Sequence, residues 1–198
     1  MTSLLFDLYG VLMRTQSEEA KRRIEWAVVS DASIWSHYWD LRPAYDAGLV
    51  SDVNYWQQLR LRAGLPDFDI AEAVAADEAS WLEPDQDMVD LVLSLIGSGC
   101  HVGLLSNIPA GLADRVRADF PWLREFSAVT FSSDIGVVKP DEKAFHVALD
   151  AMGAKAADTV FIDDRWENVE AAEQLGMQGI LFAEIGQVEM LRKELSSR

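Results

Sequence analysis

Five short apolar runs recur along the chain, and segments with apolar residues at helical spacing separate most of them. Runs of this length without polar alternation are typical of strands buried on both faces of a parallel sheet. The first run, 4–6, ends in Asp7, and an aromatic–glycine turn follows almost at once. The later runs cover 101–105, 128–131, 159–162 and 179–182. The pattern therefore predicts five strands of one sheet.

Helical patterns fill intervals between the later strands. Apolar residues recur at helical spacing over 110–120, 142–152 and 167–175. Gly153 and Gly176 stand where helices commonly end, because glycine readily adopts the left-handed conformation found there. Strands that alternate with helices predict an α/β fold, in which helices cover both faces of a parallel sheet and the crossovers are right-handed.

The interval 14–84 breaks this alternation, because it contains no convincing strand. Its helical patterns cover 17–29, 33–45, 51–63 and 70–81. We expect Pro43 to split the second of these, since proline disrupts helix interiors. Five of the seven tryptophans lie in the interval: Trp26, Trp35, Trp39, Trp56 and Trp81. We predict a helical insertion in which most of these rings pack in a core and one or two line a substrate cleft.

Composition narrows the class of protein. The 198 residues, 49% of them hydrophobic, suit one globular core with a small second lobe. The net charge of −16 argues against binding to nucleic acid or anionic membranes, since both are bound through Lys and Arg. The single cysteine, Cys100, excludes an intrachain disulfide and fits a reducing compartment. The sequence shows neither a basic signal segment nor an uninterrupted membrane-length apolar run, so we expect a cytoplasmic protein.

Asp7 is the first candidate for chemistry. An unpaired charge is expensive to bury, so a carboxylate that ends an apolar strand has a reason beyond stability. In open α/β sheets, ligands bind at the carboxyl ends of the strands. A carboxylate there can be a nucleophile, a metal ligand or both. The plain alternative is an aspartate that caps the next turn.

Two later segments carry groups that suit a phosphate. Ser106 and Asn107 follow a strand and precede a helix, and a hydroxyl beside helix N-terminal amides can cradle a phosphate. The alternative is an ordinary helix cap. Lys139, fixed before Pro140, can aim an ammonium group at an anion in the cleft, or it can be a solvent-facing loop lysine.

The fourth segment is acidic. Asp163 and Asp164 end an apolar strand, and Asn168 follows four residues later. Adjacent carboxylates repel each other unless a cation or hydrogen bonds stabilise them, and Mg²⁺ prefers one or two carboxylates with phosphate oxygens. Because parallel strands bring their carboxyl ends to one edge, all four segments should assemble one site. That set matches phosphoryl transfer, with metal and lysine neutralising the phosphoryl oxygens.

These four segments, in this order, resemble the haloacid dehalogenase (HAD) superfamily over essentially the whole chain. Asp7 matches the nucleophile of that family, Ser106 its second-motif hydroxyl and Lys139 its third-motif lysine. Asp163 and Asp164 match its acidic fourth motif. Each motif is short, and the ordered set carries the resemblance.

The resemblance implies a Rossmann-like core of residues 1–14 and 85–198 with strand order 5-4-1-2-3. Residues 15–84 then form a helical cap that closes over the core and confers substrate choice. It implies Mg²⁺ as the cofactor, bound by Asp7, by Asp164 and by the backbone carbonyl of Tyr9. Asp163 is either a further direct ligand or a group that supports the ligands.

One position departs from the phosphatase pattern. Phosphatases of the family usually carry a second aspartate two residues after the nucleophile, which protonates the leaving oxygen and helps to activate water. Tyr9 holds that place here. General acid–base help is worth roughly 10²–10⁴-fold. A phenol with a pKa of about 10 can donate a proton but is a poor base at neutral pH.

Tyrosine at this place resembles the 2-haloacid dehalogenase branch, whose first motif typically reads Asp-x-Tyr-Gly-Thr. There Asp7 would displace halide from carbon without a metal. The threonine place holds Val11, however, and residues 163–165 replace the Ser and Asn of that branch. Acids without a neutralising metal disfavour a carboxylate substrate. Arg42, or less well Arg14, is the candidate for the arginine that binds the substrate carboxylate in that branch.

The leading hypothesis is therefore a Mg²⁺-dependent hydrolase that acts on a small phosphate ester through an aspartyl-phosphate. The alternatives are a dehalogenase and a catalytically weak protein that binds a phosphorylated ligand. We expect a small phosphorylated metabolite as the partner, no nucleic acid or membrane, and a monomer or homodimer.

Overall fold

A five-stranded parallel sheet forms the centre of the computed structural model, which describes residues 2–196. The strands are β1 (Ser3–Phe6), β2 (His101–Ser106), β3 (Ala128–Phe131), β4 (Thr159–Asp163) and β5 (Gln178–Leu181). They lie in the order β3-β2-β1-β4-β5, and each neighbouring pair is parallel. This arrangement confirms the predicted α/β fold and, read from the other edge, the strand order 5-4-1-2-3.

Helices connect these strands. In chain order they are α1 (Glu18–Ala27), α2 (Trp35–Asp46), α3 (Asp52–Ala63), α4 (Ile70–Ala79), α5 (Gln86–Gly97), α6 (Ala110–Asp119), α7 (Ser132–Ile135), α8 (Glu142–Met152), α9 (Trp166–Gln174) and α10 (Ile185–Ser196). α6, α8 and α9 lie where the sequence predicts helices. The sequence patterns did not predict α5, α7 or α10, and the single turn of α7 is too short to show a period. Within residues 2–196, no helix is long and apolar enough to cross a bilayer.

The central strand β1 shows how the sheet is buried. Its residues alternate between faces, so Leu4 and Phe6 pack in one apolar cluster and Leu5 in the other. Helices α5, α6 and α10 contribute to the first cluster, and α8 and α9 to the second. Phe6 lies opposite both Leu104 and Ile162 in register. The carboxyl ends of β1, β2 and β4 therefore meet at one edge of the sheet.

Residues 15–84, which we call the helical insertion, build a cluster of their own from α1 to α4. Tyr38, Tyr55 and Trp56 are its large, fully buried side chains. Ser17 and Ser51 accept hydrogen bonds from the backbone at the starts of α1 and α3, as N-terminal caps do. The helical insertion therefore has an apolar core separate from the two clusters that contain the strands.

The expectation that Pro43 splits its helix is wrong, because α2 continues past it without a break. Proline lacks an N–H and so forgoes the hydrogen bond to the carbonyl of Trp39. The amide of Ala47 still donates to the carbonyl of Pro43 at 3.1 Å. Tyr38 and Leu41, buried on the same helix, contribute packing that offsets the single lost bond.

Candidate active site

Asp7 is the residue that directly follows β1, and its backbone N–H donates to the carbonyl of Ile162 at 2.9 Å. The Asp7 side chain is buried, and its Oδ1 accepts from the backbone N–H of Leu8 at 2.7 Å. The same oxygen lies 2.7 Å from Nζ of Lys139. Both contacts use Oδ1, which leaves Oδ2 as the candidate attacking oxygen.

Lys139 joins two of the predicted site residues. Its buried ammonium lies between Asp7 and Asp163 and donates to Oδ2 of Asp163 at 2.6 Å. Burial alone lowers the pKa of Lys139, but attraction to Asp163 and Asp7 outweighs it and raises the pKa above its ordinary value. The ammonium has three N–H donors, and two are engaged here. The alternative of a solvent-facing loop lysine is therefore wrong.

Asp163 is fully buried and heavily hydrogen-bonded. Its Oδ1 accepts from the backbone N–H of Arg165 at 2.8 Å and from the side-chain amide of Asn168 at 3.0 Å. Its Oδ2 accepts from the same amide at 3.0 Å and from Lys139. With both oxygens engaged, Asp163 is a rigid support for its neighbours.

Asp164 lies beside the turn after β1 and is only partly buried. A Cβ on Gly10 would lie 2.1 Å from its Oδ2, and Gly10 also has a φ of +84°. Oxygens of Asp7, Asp163 and Asp164 come within 4.8 Å of one another. Three carboxylates surround one lysine, so negative charge exceeds positive charge at this place. Carboxylate oxygens are ligands that Mg²⁺ prefers. The donor set thus fits the implied metal.

The charge imbalance shows in the pKa of Asp7. Burial raises it most, Lys139 lowers it, and the charges of Asp163 and Asp164 raise it again, to about 7 from an ordinary value of 3.8. The pKa of Asp164 is also raised, first by burial and then by Asp163. A cation bound between these groups would favour their ionised forms.

Ser106 and Asn107 form the next corner of the site. Ser106 ends β2, and its fully buried Oγ has no hydrogen-bond partner within residues 2–196. The side chain of Asn107 is committed to Lys139, because it accepts from the Lys139 backbone N–H at 2.8 Å and donates to the Lys139 carbonyl at 2.9 Å. Asn107 therefore fixes the lysine loop, and its backbone amide is the part that remains for a phosphate.

Tyr9 packs against an aromatic side chain of the insertion. Its ring packs edge-on against Trp81 with centroids 4.9 Å apart, and its buried hydroxyl has no partner in the described part of the chain. Burial raises the pKa of Tyr9 well above 10.0, and Arg42 acts on it more strongly than Asp7 does. The phenol is thus no base near neutral pH.

A cavity of about 690 Å³ unites these groups with the helical insertion. The core contributes Asp7, Ser106, Asn107, Lys139 and Asp164 to its wall. The insertion contributes Trp39, Arg42, Pro43, Asp46 and Trp81. Two of the five tryptophans of the insertion therefore line the cleft, while Trp56 is buried in the core of the insertion and Trp26 is exposed.

The sequence patterns missed a buried ionic cluster in the cavity wall. Nη2 of Arg42 lies 2.6 Å from Oδ1 of Asp46, and Nη1 lies 3.3 Å from Oδ2 of Asp77 and 3.0 Å from the hydroxyl of Tyr38. The spacing of four residues between Arg42 and Asp46 was the one available signal. Arg14, the poorer candidate for a substrate arginine, is exposed and pairs with Glu83.

Comparison with known proteins agrees with this geometry. A family model described as haloacid dehalogenase-like hydrolase matches residues 1–176. The chain belongs to this family. It is therefore an enzyme of the hydrolase class, and its sheet is the HAD fold.

Two of the relatives of this HAD hydrolase are named as phosphatases. The sesquiterpene phosphatase astK of Aspergillus oryzae is 34% identical over 143 residues, which are 69% of each chain. A phosphatase of Mycobacterium tuberculosis is 32% identical over 101 residues, which are 50% of this chain and 46% of that protein.

A solved structure shows the same fold at lower identity. A HAD family enzyme from Bacteroides thetaiotaomicron superposes with a TM-score of 0.80 and 22% identity, covering 95% of this chain and 98% of that one. The same Bacteroides enzyme has been crystallised in complex with magnesium and inorganic phosphate.

Proposed function

We propose that this hydrolase cleaves small phosphate monoesters with the help of Mg²⁺, through a phosphoryl group carried on Asp7. The observation that supports it best is the bridge of Lys139 between Asp7 and Asp163, beside the unpartnered hydroxyl of Ser106. A nucleophile, a cation and a free hydrogen-bond donor converge there, which is what transfer of an anionic phosphoryl group requires.

In the first step, Oδ2 of Asp7 attacks phosphorus, the new O–P bond forms, and the bond to the alcohol oxygen breaks. Ser106, the backbone amide of Asn107 and the remaining N–H of Lys139 donate to the phosphoryl oxygens. Asp7, Asp164 and the backbone carbonyl of Tyr9 would hold Mg²⁺, with Asp163 supporting them. The metal supplies positive charge against the phosphoryl oxygens.

In the second step, water attacks phosphorus, the bond between the Asp7 oxygen and phosphorus breaks, and inorganic phosphate leaves with the Asp7 carboxylate restored. Position 9 offers a phenol of raised pKa where phosphatases of the family usually have an aspartate. Leaving-group protonation and water activation are therefore both weak. For an alcohol that leaves easily, such as p-nitrophenol, the first step needs no proton donor and is faster than the attack of water, so we expect the aspartyl-phosphate to accumulate and give a burst of product.

The relatives support phosphatase activity as the general class of reaction. The named activities of the Aspergillus and Mycobacterium proteins are phosphatase activities, and the Bacteroides enzyme binds magnesium and phosphate. We further propose that residues 15–84 act as a cap on the core of residues 1–14 and 85–198. The shared wall of the 690 Å³ cavity supports this division.

The decisive experiment replaces Asp7 by Asn and measures hydrolysis of p-nitrophenyl phosphate with and without Mg²⁺. We expect activity in the wild type only with metal, and none in Asp7→Asn. Asp150→Asn, on the exposed face of α8, is the matched control and should be fully active. Mass spectrometry of acid-quenched wild type should find a phosphoryl group on the peptide that contains Asp7. Turnover by Asp7→Asn would refute the mechanism.

Tyr9 favours one alternative, a catalytically weak protein that binds a phosphorylated ligand. Calorimetry with Mg²⁺ and inorganic phosphate tests it. Tight binding of both, together with no turnover across a broad set of phosphate esters, would establish this alternative. Dehalogenation has less support, because Arg42 is already paired with Asp46 and Asp77. Release of chloride from 2-chloropropionate without metal would reverse that judgement.

A further inference from the structure

We propose that the alcohol part of the substrate is a bulky apolar group that carries no second negative charge. This inference rests on the proposed phosphatase function and adds the substrate class. It comes from three features of the cavity: an aromatic wall, the pairing of every basic side chain in the wall, and a volume far larger than a phosphate.

The aromatic wall runs from the core into the insertion. The ring of Tyr9 meets Trp81 at 4.9 Å, and Trp81 meets Trp39 at 6.3 Å, both edge-on. Trp39 is 47% exposed, and Pro43 lies one helical turn away on the same face of α2. An exposed tryptophan that lines a concave site is a favourable surface for an apolar partner.

The charges of the wall disfavour a second anion. The lining has three basic side chains, and each already has an acidic neighbour. Arg42 pairs with Asp46 and Asp77, Lys139 pairs with Asp7 and Asp163, and Arg165 lies 3.8 Å from Glu167. A carboxylate on the alcohol would meet Asp46 beside Arg42. The loosely paired cation of the lining, Arg165, has a side chain that is 63% exposed, so water screens its attraction. The desolvation of the carboxylate would be poorly compensated.

The volume sets the size of the group. Pockets of about 300–1,000 Å³ hold drug-sized ligands. The cavity of about 690 Å³ is therefore large enough for a ring system or a branched hydrocarbon in addition to the phosphoryl group. Trp39, Pro43 and Trp81 are the apolar part of the wall that the insertion contributes, so the apolar group would lie towards them.

Two aryl phosphate esters test whether the cavity prefers an apolar alcohol group to a negatively charged one. We compare 4-tert-butylphenyl phosphate with 4-carboxyphenyl phosphate in the presence of Mg²⁺. The carboxylate is electron-withdrawing and makes the second phenol the better leaving group, so chemistry alone favours that ester. We expect kcat/KM to be at least about tenfold higher for the tert-butyl ester. Equal values, or a preference for the carboxyl ester, would overturn the inference.

Variants identify the residues responsible. Trp39→Ala should raise KM for the tert-butyl ester about three- to tenfold with little change in kcat, because only the apolar group loses contact. Trp26→Ala, another exposed tryptophan of the insertion outside the cavity, is the matched control and should leave both constants unchanged. Asp46→Asn should remove a negative charge that the carboxylate would meet, and so improve kcat/KM for the carboxyl ester. Identical behaviour of the Trp39 and Trp26 variants would contradict the placement.

Binding separates this inference from the proposed function. Calorimetry compares 4-tert-butylbenzylphosphonate with 4-carboxybenzylphosphonate, neither of which is hydrolysed, on the wild type with Mg²⁺. Selective binding of the apolar phosphonate without ester turnover would keep the inference and refute the phosphatase. Ester turnover together with equal binding of the two phosphonates would keep the phosphatase and refute the inference.

Discussion

Two buried cations face the same cavity, one from the core and one from the helical insertion. Lys139 lies between Asp7 and Asp163, and Arg42 lies between Asp46 and Asp77. Both side chains are less than 10% exposed, and both bring a positive charge between two carboxylates.

The two sets differ in the kind of group that they leave unused. Around Lys139, one ammonium N–H, Oδ2 of Asp7 and the hydroxyl of Ser106 remain available, and Asp164 adds an unbalanced charge. Around Arg42, Nε also lacks a hydrogen-bond partner among the described residues, but the rings of Tyr38, Tyr45 and Trp81 pack within 5.8 Å of the guanidinium carbon. Burial, ion pairing and a single unused donor therefore do not distinguish a reactive set from a supporting one. What distinguishes the set around Lys139 is that a free ammonium N–H and a free hydroxyl lie beside a carboxylate oxygen that is available to attack.

Replacing the core cation should have the largest effect. In Lys139→Met the phosphoryl oxygens lose a donor and Asp7 loses the group that orients it, so kcat/KM for p-nitrophenyl phosphate should fall by about 10²–10³-fold or more. Lys143→Met, on the exposed first turn of α8, is the control and should keep full activity. A loss of kcat/KM of less than tenfold would show that Lys139 supports the structure of the site and does not act on the substrate.

Replacing the insertion cation should act on stability instead. Arg42→Met leaves two buried carboxylates without a partner, which should cost about 3–5 kcal/mol in urea unfolding. Calorimetry at a temperature where the variant is folded should give a Mg²⁺ affinity within about twofold of the wild type. Arg22→Met, on the exposed face of α1, should change neither quantity. Loss of Mg²⁺ binding in Arg42→Met would show that Arg42 also supports the site around Lys139, and would contradict the separation of the two sets.

The third prediction uses pH. The pKa of Asp7 is raised from 3.8 to about 7 in the folded chain. Without metal, the stability of the fold that comes from this shift is complete below about pH 3.8 and is lost as the pH rises through about 7. Mg²⁺ binds the ionised carboxylate, so protons compete with it. The increase in Tm that Mg²⁺ produces should therefore grow between about pH 5 and pH 8. The growth should be much reduced in Asp7→Asn, and an increase that shrinks with pH would contradict the assignment.

The smallest effect is expected at Tyr9. Its hydroxyl has no partner among the described residues, and removal of an unpaired donor costs little. Tyr9→Phe should keep kcat/KM for p-nitrophenyl phosphate within about threefold. A loss in the general-acid range of roughly 10²–10⁴-fold would instead make Tyr9 the proton donor.

The core could be predicted closely from the sequence because its signals are local. Apolar runs of strand length stop at Asp7, Ser106 and Asp163, and a parallel sheet brings such ends together by its geometry alone. The pairing of Lys139 with two acids was harder to predict, because a loop lysine in solvent and one in a site have the same local sequence.

The insertion could be predicted only in outline. The predicted helical patterns begin at residues 17 and 51, where Ser17 and Ser51 cap α1 and α3, and capping is a contact within one turn. The cluster around Arg42 depends on Asp77, which lies 35 residues away on another helix. No periodicity reports such a contact, and the continuity of α2 through Pro43 likewise depends on packing partners distant in sequence.

Gly10 has a consequence for mutational tolerance. At most positions near a site, a larger replacement does more harm than a smaller one. At Gly10 the obstacle is the first side-chain carbon, which would lie 2.1 Å from Oδ2 of Asp164 on a backbone whose φ is +84°. A saturation scan should therefore give a flat profile at this position, with alanine as damaging as tryptophan.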